Sequence, residues 1–183
     1  MGSPTWQFPG SSGPRLKKTP APDCTDNFQI AKFEFEGKEW FSVEQAYQGM
    51  KFKDDEQEII RAIAPNADES SHDYGQRIWR HGQQGKFADS VNTVELMYKL
   101  CCAKYVAHPE MQQALLSTGT VVIHGGPSTG EWSKFNGLIQ TLIRQELRSG
   151  KVPGSDLSGP DLMAALESHV PALMASGLAK SLG

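Results

Sequence analysis

The sequence predicts an α+β fold, predominantly α-helical, with one small β element. Residues 30–41 (IAKFEFEGKEWF) alternate apolar and polar, and at Ser42 the apolar period switches to a helical one. Helical spacing then recurs as far as Arg148, broken by a single short β-rich run at 120–124. At 183 residues the chain suits one well-buried core better than two. The expected organisation is a flexible tail over 1–25, one domain over 26–150, and an accessory helix or tail over 151–183.

Residues 1–22 are rich in Pro, Gly and Ser, which leaves little apolar surface to offset the entropy of ordering. The alternation over 30–41 fits a β-hairpin turning at Glu36-Gly37-Lys38, with Ala31, Phe33 and Phe35 inward. Ser42-Val43-Glu44-Gln45 reads as a capping box that starts a helix with Val43, Ala46 and Met50 on one face. That helix should run on, with a break near Asp54, to Pro65. A second helix is expected over 71–81, ended by Gly82. The spacing of Val91, Val94, Met97, Tyr98, Cys101 and Tyr105 marks a central core helix over 89–107.

Pro109 suits the first turn of a short helix ending near Gly119. TVVIH at 120–124 reads as a short strand, and GGPSTGEW after it as a loop. A further helix over 133–148 should bury Leu138, Leu142, Ile143 and Leu147. Over 161–180 the pattern is that of an amphipathic helix interrupted at Pro171.

Composition narrows the classes. The longest apolar runs fall well short of the roughly 20 residues that span a bilayer, and no apolar stretch follows a basic start at the N-terminus. Three cysteines, two of them the adjacent Cys101 and Cys102, make a poor disulfide framework. The expectation is a cytoplasmic, reducing environment. Five scattered histidines without ligand spacing predict no metal, and no cofactor is expected. A net charge of −3 argues against a general polyanion binder while leaving a nucleotide or a single modified base open.

The chemistry-bearing residues lie in SVEQAYQGMKF. Glu44, Tyr47, Gln48 and Lys51 fall at i, i+3, i+4 and i+7, one stripe of a continuous helix. Glu44 and Lys51 are then about 10.5 Å apart along the axis, too far for an ordinary ion pair and wide enough for a sugar between them. Cleaving an N-glycosidic bond needs a group that captures or stabilises an electron-poor C1 and another that moves protons. Glu44 suits acid/base work. A desolvated Lys51 of lowered pKa suits attack on C1 with imine formation, provided burial outweighs the attraction of a charged Glu44. Spacing alone favours a simpler reading, a merely solvated helix face.

The run GKEWFSVEQAYQGMKF at 37–52 resembles the signature of the NADAR (NAD and ADP-ribose associated) family, G-K-x-[WY] leading into S-x-E-x-x-x-Q-x-x-K-F. Four further stretches resemble family segments in order. They are Asp26-Asn27-Phe28; residues 76–80 with Arg80; Met97 with Ala103-Lys104-Tyr105; and Trp132 with Asn136 and Leu138. The resemblance spans about 26–148. It implies a helical domain with a small β element, no metal, and N-glycosidase activity that removes ADP-ribose from guanine in nucleotide, DNA or RNA. In some members the implied substrate is instead a ribosylamino-pyrimidine intermediate of the riboflavin type.

Carried over by motif, Glu44 and Lys51 are the implied catalytic pair. Gln48, Asn27, Phe28, Trp132 and Asn136 line the implied pocket, joined by Tyr47 on the shared stripe and by Arg80 as a pyrophosphate ligand. Each has a structural alternative: Trp132 as a loop anchor, Asn136 as a helix-start residue, Asn27 as an Asx-turn residue, Arg80 as part of a solvated face. The sequence departs from the pattern around Trp132, where Pro127-Ser128-Thr129-Gly130-Glu131 precedes it and Ser133 follows. A non-catalytic reader of ADP-ribose or nucleotide is the alternative of another class.

Overall fold

The computed structural model describes residues 21–126 and 128–176, and these are mostly helical with a two-stranded antiparallel sheet. They cluster into two compact units, one formed by Asn27–Ala107 and the other by residues 21–26 and 108–176. Most of the segment expected to be a tail, 1–20, lies outside the described residues. The remainder packs: Ala21, Cys24 and Thr25 are buried, and Asp23–Thr25 form a 3-10 turn.

In the first unit the hairpin forms as its alternation predicts. Strand β1 (Phe33–Phe35) pairs with β2 (Lys38–Trp40), Phe33 opposite Trp40. The two-residue turn has φ of 51° at Glu36 and 74° at Gly37, the left-handed pair that matches strand twist. Ala31, Phe33 and Trp40 are buried, whereas Phe35, beside the turn, is only half-buried.

Helix α1 (Val43–Gly49) starts at Ser42, whose Oγ accepts the Gln45 N–H at 3.0 Å. Gln45 reaches back one residue further than a capping box requires, accepting from the Phe41 N–H at 2.7 Å. Its amide nitrogen donates to the carbonyls of Ile60, Arg61 and Ile63, and so caps the end of α2 (Asp54–Arg61).

The expected continuous helix is interrupted earlier than Asp54. Gly49 lies against the Trp40 ring, where a Cβ would come within 2.6 Å of Cζ3, and residues 50–53 turn before α2 begins with Asp54 at φ 48°. α2 itself stops at Arg61, short of Pro65.

Helix α3 (Ser71–Gly82) is capped by Ser70, and α4 (Thr93–Ala107) begins after Asn92, whose Oδ1 takes the Glu95 N–H. That cap starts the helix four residues later than the apolar spacing implies and leaves Val91 exposed ahead of it. Met97, Tyr98, Leu100, Cys101 and Tyr105 form the buried face of α4, and α1 packs on α2, α3 and α4.

In the second unit, α5 (Pro109–Leu116) carries Pro109 in its first turn and packs on α6 (Trp132–Arg148). Leu138, Leu142 and Ile143 are buried on α6, and Leu147 only half so. The strand expected at 120–124 does not form. Only His124 makes an isolated bridge, because this extended stretch packs on a helix: a Cβ at Gly137 of α6 would meet the Ile123 carbonyl at 2.5 Å.

Helices α7 (Gly159–Glu167) and α8 (Val170–Ala175) follow, with Pro171 in the first turn of α8, and they bury Leu162, Leu166 and Leu173. Residues 177–180 of the predicted terminal helix lie outside the described residues. Among those described, no helix is long and apolar enough to cross a membrane, and the three cysteines are buried thiols.

Candidate active site

Every residue of α1 is buried, so the stripe carrying Glu44, Tyr47 and Gln48 faces protein rather than water. Glu44 is 6% exposed and Gln48 3%. The Gln48 amide donates to Glu44 Oε1 at 2.7 Å, which places an amide, not empty space, beside the carboxylate. Gln48 Oε1 is buried with no hydrogen-bond partner. Beneath it lies Gly82 of α3, where a Cβ would overlap the Gln48 side chain as far as its own Cβ at 2.8 Å. Gly82 does not have a positive φ, so this glycine serves close packing and not an unusual backbone turn.

Lys51 does not stand on α1 as its spacing implies. The helix ends at Gly49, and Lys51 follows in a tightened turn in which its N–H bonds the Gln48 carbonyl at 3.2 Å. That turn keeps it close to the helix trajectory. The half-buried ammonium donates to the Gly82 carbonyl at 3.2 Å and stands 5.7 Å from the centroid of the Phe87 ring. The same ring meets Tyr47 with centroids 4.9 Å apart. Phe87 and Gly82 are thus parts of the site that sequence reasoning missed; neither lies on a helical stripe with Glu44.

Electrostatics follow from this burial. Desolvation raises the Glu44 carboxyl from 4.5 to about 7, although the Gln48 hydrogen bond and the Lys51 charge pull it down. Burial likewise holds the Lys51 ammonium below the ordinary lysine value, against the opposing pull of Glu44. Tyr47 is pushed up to about 12 by burial and by the Glu44 charge, so its phenol stays protonated. Near neutral pH, Glu44 exchanges a proton readily and Lys51 gives up its proton more easily than a solvated lysine.

The other predicted site residues divide by unit. The Asn27 carbonyl accepts the Glu44 N–H at 2.9 Å and its Oδ1 accepts from Cys101 Sγ at 3.4 Å, which ties the start of α1 to α4. Phe28 is 7% exposed and fills the space over Gly75, its ring 6.2 Å from that of His72, a packing role beside α3. Arg80, two residues before Gly82, is exposed, whereas its neighbour Arg77 is held by Glu69 at 2.7 Å and by the Ala64 carbonyl.

Trp132 and Asn136 belong to the second unit, at the first turns of α6, where Trp132 is half-buried and Asn136 is 8% exposed. Among the described residues no group of three or more His, Cys, Asp or Glu side chains is arranged to hold a metal. No family model and no curated protein matches the chain.

Proposed function

We propose that the chain is an N-glycosidase that removes ADP-ribose from ADP-ribosylated guanine, with Glu44 as acid/base and Lys51 as the nucleophile. The observation that carries this reading is the buried Glu44–Gln48 pair beside Lys51, in which burial brings the carboxyl and the ammonium toward each other in pKa. An amine that loses its proton easily attacks C1; the C1–N bond breaks with its electron pair passing to the base; and a carboxyl titrating near neutrality moves the proton that the base needs. Opening of the ribose leaves an imine on Lys51, which water hydrolyses to return the amine and free ADP-ribose. The likeness of 37–52 to the NADAR signature supports the same chemistry and adds the substrate class.

The test is incubation of the purified chain with an oligonucleotide carrying ADP-ribosylated guanosine. Free ADP-ribose and unmodified guanine are the expected products. Borohydride should trap a covalent ribose adduct in the wild type and none in Lys51→Ala. Binding without turnover would replace the enzyme reading with a reader of ADP-ribose.

A further inference from the structure

A second feature, wholly within the second unit, is unrelated to Glu44 and Lys51. A cavity of about 260 Å³ opens between residues 120–123, α6 and α8. Arg144 and Arg148, one helical turn apart on α6, line it together with His169 at the start of α8. Val122, Ile123, Leu138 and Leu173 form apolar walls, and no carboxylate lines it.

These cationic groups are held in place by the protein but not neutralised by it. Arg144 is 4% exposed, and its Nη1 donates to Thr118 Oγ1 at 2.7 Å and to the Val121 carbonyl at 2.9 Å. Arg148 donates to the Gly119 carbonyl. Among the described residues neither guanidinium has an ion-pair partner, and His169 Nε2 is buried with no hydrogen-bond partner. Arg148 is exposed, but Arg144 is desolvated, and a buried guanidinium with a like charge one turn away costs stability unless something answers it. Burial, and then the neighbouring Arg148, lower the Arg144 pKa, and burial, and then Arg144, lower that of His169.

We propose that this cavity is a binding site for a small organic phosphate monoester with a compact apolar body. Two guanidiniums match the double charge of a phosphate monoester and the geometry of its oxygens, and the imidazole of His169 supplies a further donor. The apolar walls take the organic group. A volume just below the usual range of small-molecule pockets, roughly 300–1,000 Å³, limits that group to about the size of one ring.

Phenyl phosphate is the probe, titrated by calorimetry into the full chain, with benzoate and benzyl alcohol beside it. Submillimolar binding of phenyl phosphate is expected, with benzoate at least tenfold weaker and no heat from benzyl alcohol. Arg148→Ala should weaken phenyl phosphate at least tenfold, and the His169 ring resonances should move on its addition to the wild type. Should Arg148→Ala fail to fold, Arg148→Lys, which keeps the charge but loses the fork, should bind at least threefold more weakly. Equal affinity for benzoate, unchanged affinity in the Arg148 variant, or a His169 resonance indifferent to ligand would each overturn the site. Turnover of ADP-ribosylated guanosine does not enter any of these outcomes.

Discussion

Helices α1 and α6 both bury ionisable side chains, and they do so in opposite ways. At α1 the acid Glu44 is electrostatically coupled to the amine of Lys51 in the turn that follows the helix, so that each charge offsets part of the other's desolvation, and Gln48 and Gly82 close the packing around them. On α6 the buried Arg144 and the exposed Arg148 border a cavity with a histidine, the charge of Arg148 adds to the cost of burying Arg144, and a void remains. At α1 burial moves the Glu44 carboxyl up to about 7 and the Lys51 ammonium down, each against the pull of the other's charge, a property suited to proton transfer. Like charges around a void produce an unanswered field, a property suited to holding an anion.

The sharpest way to break this contrast is to remove either member of the α1 pair. Glu44→Gln and Lys51→Ala should each lower the rate of ADP-ribose release by roughly 10²- to 10⁴-fold, measured by single-turnover kinetics on the oligonucleotide substrate. A variant within a factor of three of wild type would remove that residue from the chemistry. Next in size is Gly82→Ala. In an ordinary helix this change is worth up to about 1 kcal/mol of stabilisation, but here the added Cβ meets Gln48 down to its own Cβ. A net loss of about 1–3 kcal/mol is expected by chemical denaturation, together with reduced turnover; a gain in stability would mean that Gln48 is free to move.

A third prediction concerns pH. The Glu44 pKa is higher folded, about 7, than its ordinary 4.5, so its contribution to stability is fully present below about pH 4.5 and is lost as pH rises through 7. Glu44→Gln therefore gains melting temperature relative to wild type on going from pH 5 to pH 8, by at most the equivalent of roughly 3 kcal/mol. The fall of kcat/KM through about pH 7, expected as Glu44 loses the proton that the departing base needs, should be missing from the same variant. A constant difference in melting temperature across that range would place the carboxyl in water.

The smallest effect belongs to α6. Arg144→Gln keeps a donor for Thr118 and removes a charge, so the His169 titration followed by NMR should move upward. An unchanged titration would mean that the two groups are not electrostatically coupled.

Much of the local structure was legible along the chain. Glu36-Gly37 specified the hairpin turn, Ser42 and Gln45 started α1, and the apolar spacing of α6 located that helix. Asn92 was the signal overlooked at the start of α4; a capping side chain outranks an apolar residue such as Val91 lying just before it. Of the candidate site, the residue types and their order were legible. The place of Lys51 in a turn beyond the helix was not, since Gly49 ends α1 against a tryptophan that comes from the hairpin.

By itself the sequence determined where turns, caps and helical faces occur, because those depend on dihedral preferences and hydrogen bonds spanning a few residues. Only the tertiary structure decided that the Glu44 face is buried, that residues 120–124 lie on a helix instead of in a sheet, and that Arg144, Arg148 and His169 border one void. The physical reason is desolvation. It is the first cause of the shifts at Glu44, Lys51, Arg144 and His169, and it depends on which distant segments displace the water around each group.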